Sequence, residues 1–407
     1  NGGPTCLDGS DPNFNPTDNL GHGTSTAAIL AGNANLGADF RGVTGITVES
    51  WKVYFLECSS GHCLSGMGGL LDAFQQALQM FDRVILVETQ EDTPPTGPLA
   101  MAANNAFDAG AVVLAPTGNC AVADSCDVPE GFPQPESVRS PANANKVLGV
   151  GAFNVQTEIT KDYQGFGPTN DDRYKPDIQA PTDTETACQE GFSTPGDVVC
   201  SDSGTDFSLS SRFGGTSGAG PYAAGAAALT RNWLRKFNTF DPGQTYSMMI
   251  LAGAEIHPYH ERLGAGPIEL PTCGFANWGK VTMEPVIISD PPESGDPVPV
   301  AQVDIPIHVG PNNLRLDAAL WWPTDPFQTA TDFDLHLIDP FGIERAKADS
   351  NRGIFERTRA KAKKSGGQLE PGTWILRIRA PHLSFDQTVY WASKLRRTNN
   401  QCFRAQQ

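Results

Sequence analysis

The chain contains no apolar run approaching the roughly 20 residues that a bilayer-crossing helix requires, so no membrane span is expected. It is also short of cations. Its 29 Lys and Arg stand against 46 Asp and Glu, giving a formal net charge of −17. Such a surface disfavours nucleic acid and anionic membranes, and favours solubility and calcium. No basic segment followed by an apolar stretch opens the sequence, so no secretory leader is expected within it. Cysteine is what a reduced compartment would not explain: nine residues point to a secreted, extracellular protein.

Three cysteine pairs lie close in sequence: Cys58 with Cys63, Cys120 with Cys126, and Cys188 with Cys200. Each flanks a polar, glycine-containing or acidic loop that a disulfide could staple, and Cys6, Cys273 and Cys402 remain. The odd count fits a partner on a further N-terminal segment, and an unpaired thiol fits it equally. Zinc is the competing reading of Cys58, His62 and Cys63, but no second Cys/His pair of suitable spacing follows.

One glycine-rich stretch, Gly214-Gly215-Thr216-Ser217-Gly218-Ala219-Gly220-Pro221, runs on into Tyr222-Ala223-Ala224-Gly225-Ala226-Ala227-Ala228-Leu229. It reads as a tight turn delivering Ser217 to the start of a helix of small residues, where unpaired N–H groups stabilise a developing negative charge. Pro221 suits a first helical turn, because its missing N–H would have no intrahelical partner there. Close packing through Gly and Ala is the plain alternative.

A second stretch, Gly21-His22-Gly23-Thr24-Ser25-Thr26-Ala27-Ala28-Ile29-Leu30-Ala31-Gly32, predicts a helix capped by Asp18 or Asn19 and ended by Gly32. His22 then projects from the first turn of a buried helix, a rigid mount for a general base. A lone histidine is otherwise an ordinary core or surface residue. In the third stretch, Ala111-Val112-Val113-Leu114-Ala115 predicts a buried strand that Pro116, Thr117, Gly118 and Asn119 break. The Asn119 amide is left just beyond the strand end, where open α/β sheets bind ligands. An Asn in such a place is otherwise a turn former.

In order, His22-Gly23-Thr24, Thr117-Gly118-Asn119 and Gly215-Thr216-Ser217-Gly218-Ala219-Gly220-Pro221 resemble the subtilisin family of serine endopeptidases. That family reads His-Gly-Thr, Ala-Gly-Asn and Gly-Thr-Ser-x-Ala-x-Pro. Arg41-Gly42-Val43 leading to Lys52-Val53, the segment Ala73 to Val87, and Lys175-Pro176-Asp177-Ile178-Gln179-Ala180-Pro181 extend the resemblance over residues 15–285. It implies that Ser217 Oγ attacks a peptide carbonyl while His22 takes its proton and returns it to the leaving amine. The Asn119 amide and the Ser217 N–H would hold the oxyanion, with a polypeptide as substrate and no cofactor needed for the chemistry. A lipase or esterase would want Gly-x-Ser-x-Gly with the histidine after the serine. Gly215-Thr216-Ser217-Gly218-Ala219 breaks that elbow, and His22 comes first.

The family's catalytic aspartate is not found where it is expected, at the end of a strand well ahead of the histidine. Only 21 residues precede His22. Among them Asp8, in Leu7-Asp8-Gly9-Ser10, is the nearest imitation, too close to His22 and without a strand. Asp11 and Asp18 read as turn and capping residues, and Asp202 as a turn residue before the nucleophile motif. Three explanations fit: an absent N-terminal piece, a separate nicked segment that stays associated and supplies the aspartate, or a degenerate homologue with a Ser–His pair. The first two are favoured, because Asn1 begins in a loop. Loss of that carboxylate frees the histidine tautomer, at a cost on the order of 10⁴-fold. A catalytically inactive subtilisin fold acting as a binding or scaffold protein is the rival from another class.

The expected fold class is α/β, a mostly parallel sheet with helices on both faces, followed by an all-β C-terminal sandwich. Expected strands are Thr47–Phe55, Val84–Thr89, Ala111–Ala115 and Lys146–Ala152, and expected helices Gly66–Phe81, Pro98–Ala109 and Pro221–Phe237. After Val84-Ile85-Leu86-Val87, where the family pairs with substrate backbone, stands the acidic Glu88-Thr89-Gln90-Glu91-Asp92-Thr93-Pro94-Pro95. It predicts an unusual non-prime subsite favouring basic residues, or else a solvated loop. The catalytic domain is set at 1–288, a Pro- and acid-rich linker at 289–298, and a sandwich resembling jelly-roll domains at 299–407. Strands are expected at Leu314–Trp322, Phe333–Leu337 and Trp374–Arg379. Asp332 and Asp334 are the candidates for structural calcium, although alternation on a half-exposed strand explains them more simply.

Overall fold

A strand covered on both faces needs an unbroken apolar run, and Val112-Val113-Leu114-Ala115-Pro116 supplies one, with every residue buried. The computed structural model describes residues 21–32, 42–53, 58–59, 62–63, 67–122, 136–187, 211–270, 275–287, 299–327, 331–363 and 367–397. The first half runs α1 (His22–Ala31), β1 (Cys58–Ser59), β2 (His62–Cys63), α2 (Met67–Gln79), β3 (Val84–Leu86), α3 (Pro98–Asp108) and β4 (Val112–Pro116). It continues through β5 (Leu148–Asn154), β6 (Ile178–Thr182), β7 (Thr184–Thr186), β8 (Ser211–Phe213), α4 (Gly215–Arg235) and α5 (Pro242–Ala252). Strands β3-β4-β5-β6, in that order, form a parallel sheet.

Alternation along β4 assigns its two faces. Val113 and Ala115 join a core with Leu70 and Phe74 of α2 and Leu99 and Ala103 of α3. Val112 and Leu114 join Ala219, Ala223 and Ala227 of α4 in the other. Helices on both faces of a parallel sheet are thus present as expected. Because α4 lies against the sheet and α1 at once, it has little room for side chains. A Cβ on its Gly225, for example, would come within 2.7 Å of Val43.

Three expectations change in this half. The nucleophile helix starts at Gly215 rather than Pro221, which lies inside it; Gly215, Gly218 and Gly220 let the first turns close before the proline. No strand forms over 47–53. The preceding segment is instead tied to the end of α1, Val43 N–H donating to Ile29 O (2.9 Å) and Thr44 N–H to Leu30 O (3.0 Å). Gly21 rather than Asp18 or Asn19 occupies the N-cap of α1, without a side-chain cap, while Gly32 is the C-cap. Asp18 and Asn19 lie outside the described residues.

The second half comprises β9 (Phe275–Met283), β10 (Val286–Ile287), β11 (Pro299–Val309), β12 (Asn313–Trp321), β13 (Asp334–Ile338), β14 (Glu344–Ala348), β15 (Phe355–Lys361), β16 (Gly372–Ala380) and β17 (Gln387–Arg397). They form two antiparallel sheets, β10-β11-β16-β13-β14 and β15-β12-β17-β9. Strand β9 pairs with β17 from Phe275↔Leu395 to Met283↔Gln387. Strands β9 and β10, both before residue 288, belong to these sheets; the linker 289–298 lies outside the described residues.

Helix α5 joins the halves. All eleven of its residues are buried, between α4 and the inner sheet of the sandwich. Its Tyr246 ring stands edge-on to Trp321 of β12 at 4.7 Å. The same residue's hydroxyl accepts from the Val113 N–H (2.9 Å) and is within donating distance of the Val113 (2.8 Å) and Lys146 (2.9 Å) carbonyls. Buried Arg357 of β15 donates to the carbonyls of Leu251 and Glu255 at the carboxyl end of α5, where a helix favours a cation.

Cys58 and Cys63 are opposed across β1 and β2, and Cys120 is disulfide-bonded. Cys6, Cys126, Cys188, Cys200, Cys273 and Cys402 lie outside the described residues. Among the described residues no helix is long and apolar enough to cross a membrane, and no group of three His, Cys, Asp or Glu is arranged to hold a metal ion.

Candidate active site

The loops beyond β3 and β4 and the first turn of α4 meet at the carboxyl edge of the parallel sheet, where open α/β folds place their sites. Ser217 is the third residue of α4. In that first turn the Thr216 N–H goes to the Asn119 side chain and the Gly218 N–H to the Gly214 carbonyl. The Ser217 N–H has no intrahelical acceptor and points with the positive end of the helix.

Asn119 stands three residues past β4. Its Oδ1 accepts from the Thr216 N–H at 2.8 Å and from the Thr216 hydroxyl at 3.0 Å, while the Gly118 N–H donates to Thr216 Oγ1 at 3.2 Å. With its oxygen held, the amide has its NH₂ end left to meet an incoming oxyanion. Gly215 makes this possible. Its φ of 68° is a region that side chains rarely adopt, and a Cβ there would sit 3.0 Å from Asn119 Nδ2. Thr182 fixes the same turn by donating to the Gly215 carbonyl at 2.7 Å.

His22 opens α1, which packs along α4. Its ring stands edge-on to Phe213 at 5.0 Å, and Phe213 immediately precedes the Gly214 N-cap of α4. Asn119 is thus held on the first turn of α4, which carries Ser217, and His22 stands on the residue that leads into that turn. The aspartates weighed as partners of His22, namely Asp8, Asp11, Asp18 and Asp202, lie outside the described residues.

The acidic Asp177 of the Lys175-Pro176-Asp177 motif is used otherwise. Its Oδ2 accepts from Lys175 Nζ at 2.5 Å and from the Gly149 N–H at 2.6 Å, with both side chains fully buried. Burial lowers the Lys175 ammonium from its usual range, against the pull of Asp177.

Glu88 is the residue that sequence reasoning misplaces. In place of facing solvent or a basic substrate group, it turns inward and both its carboxyl oxygens are buried. Burial pushes the carboxyl well above the ordinary glutamate range, and the Ser217 hydroxyl is the group that opposes the shift. The one signal in the sequence is Gly220: a Cβ there would lie 2.5 Å from Glu88 Oε1.

Residues 7–254 match the subtilase family. Among solved structures, the chain is similar to the prenylagaramide maturation protease PagA (20% identity, TM-score 0.44, covering 62% of this chain and 80% of that one). It is also similar to the epidermin leader peptide processing serine protease of Staphylococcus aureus (16% identity, TM-score 0.45, covering 62% of each chain). The family match takes in more than half of the sequence and every residue of the site just built, and the chain belongs to the subtilase family.

Proposed function

We propose that this subtilase is a secreted serine endopeptidase working through an acyl-enzyme. In this reading Ser217 Oγ bonds to the carbonyl carbon of a peptide while His22 takes its proton. The charge on the carbonyl oxygen falls to the Asn119 amide and the Ser217 N–H. The C–N bond then breaks as His22 returns the proton to the amine, and water repeats the sequence to release the acid. Extracellular residence is inferred from the nine cysteines.

The observations that support the reading are the Asn119 side chain held on the Thr216 N–H beside Ser217, and the His22 ring standing on Phe213, four residues before Ser217. Labelling with an uncharged fluorophosphonate tests it. An adduct on Ser217, found by peptide mass spectrometry and absent from Ser217→Ala, is expected. A folded protein that forms none would instead be the binding or scaffold relative of such enzymes.

A further inference from the structure

The reaction just described makes no use of the Glu88 carboxyl. It follows β3 by two residues, and its Oε1 lies against the Cβ-less Gly220 of α4 beside Pro116 and Leu86. Gly220 is three positions beyond Ser217, so both lie on one face of the helix. Both Glu88 oxygens are shielded from water, and neither has a partner in ordinary hydrogen-bond geometry. Ser217, on the same face of α4 as Gly220, is the hydroxyl that counters the rise burial imposes on this carboxyl. Catalytic hydrogen bonds are often long in a resting site and tighten with substrate.

Other buried acids of this fold have partners in hydrogen-bond geometry: Asp177 takes Lys175, Asp317 takes Arg359, and Glu356 takes the Tyr259 hydroxyl and the Ser350 N–H. A buried carboxyl without such a partner is unfavourable, and in Glu88 it stands beside the one hydroxyl the reaction needs.

We propose that Glu88 is a catalytic residue of this site, a second proton acceptor for Ser217 alongside His22. The inference rests on Ser217 being the nucleophile. In a turnover where ionised Glu88 rather than His22 is the acceptor, the single Ser217 O–H proton passes to a Glu88 oxygen as Oγ bonds to the carbonyl carbon, and the carbonyl π pair moves onto its oxygen. On collapse the C–N bond breaks and the Glu88 proton goes to the amine nitrogen. The carboxyl lies against Gly220 of α4 beside Leu86 of β3 and Pro116 of β4, none of them charged; among the described residues His22 on α1 and Arg139, whose side chain lies against Gly118, are titratable groups of the surrounding site. Burial makes ionised Glu88 a stronger base than an exposed glutamate.

The test follows the rate of fluorophosphonate labelling of Ser217 against pH in the whole protein, in native, Glu88→Gln and Glu88→Asp forms. Glu88→Gln is expected to label slower by a factor on the order of 10² and to lose the rise with pH that Glu88 ionisation produces, with partial recovery in Glu88→Asp. Native rate and native pH profile in Glu88→Gln would overturn the proposal, as would a change confined to KM for peptides with basic residues. Native protein that does not label at all sinks the peptidase reading, and this proposal with it. Should the variants not fold, carbon-13 NMR of the native Glu88 carboxyl decides: its titration midpoint is expected to move when Ser217 is phosphonylated, and an unmoved midpoint counts against it.

Discussion

The face that α4 itself turns to the sheet is built of small fully buried side chains, Ala219, Ala223 and Ala227; the sandwich fills its core with Trp321, Trp322, Trp374, Phe333 and Phe355. Large rings each hide about 150–250 Å², so the sandwich is held by area. The half with the site is held by closeness of backbone, with polar groups locked in sequence from Thr182 to Gly215 and from Thr216 to Asn119. Chemistry needs position, and position is better served by short side chains and satisfied hydrogen bonds than by bulk.

This contrast can be broken at four points. Asp177→Ala leaves the buried Lys175 ammonium and the Gly149 N–H without their partner. A loss of about 3–5 kcal/mol in denaturant unfolding is expected, and a loss near zero would mean that polar locking matters little here. Asn119→Ala should lower kcat by a factor on the order of 10²–10³, a magnitude that derives from subtilisin itself. Peptide hydrolysis and melting together would show whether turnover suffers more than stability.

Tyr246→Phe removes the acceptor of the Val113 N–H while keeping the ring on Trp321. About 1–3 kcal/mol should be lost, with the single cooperative transition retained; two transitions, of which only one moves, would separate the halves. The smallest effect is at Asp332, whose carboxyl is raised to about 6, first by burial and then by Asp334 and Asp349. The folded state holds this proton more tightly than the unfolded chain, so the stability it gives at low pH is lost as pH rises from about 4 to about 6. The group is only half buried, which keeps the effect small. Asp332→Asn should flatten the fall in melting temperature across that window.

Legibility followed the same contrast. Strand β4 declares itself by its apolar run and was expected within a residue of its observed ends, and β16 by alternation, its observed burial switching from position to position. Helix α3 began at its proline. Helix α5 escaped because it is buried on every side and so has no polar face to set a period. Strand β15, Phe-Glu-Arg-Thr-Arg-Ala-Lys, hides its charges in partners: Arg359 with Asp317, and Glu356 with the Tyr259 hydroxyl. Neither partner is adjacent in sequence. In the candidate site, His22, Asn119 and Ser217 stood out in the sequence because each follows a glycine turn of fixed pattern. Glu88 was not, because an acid beside Thr, Gln and Pro reads as surface, and only the vacancy at Gly220 says otherwise.

A helix without a wet side leaves both neighbours dependent on it. Strands β12 and β17 close the far flank of α5 so tightly that a Cβ on Gly243 would meet the Tyr390 ring at 2.3 Å. Through Tyr246 that flank is tied to the backbone of the strand that leads to Asn119. The C-terminal sheets are therefore a brace for that strand rather than a passenger behind it, and anything that slackens them slackens the hold on the sheet edge beyond it.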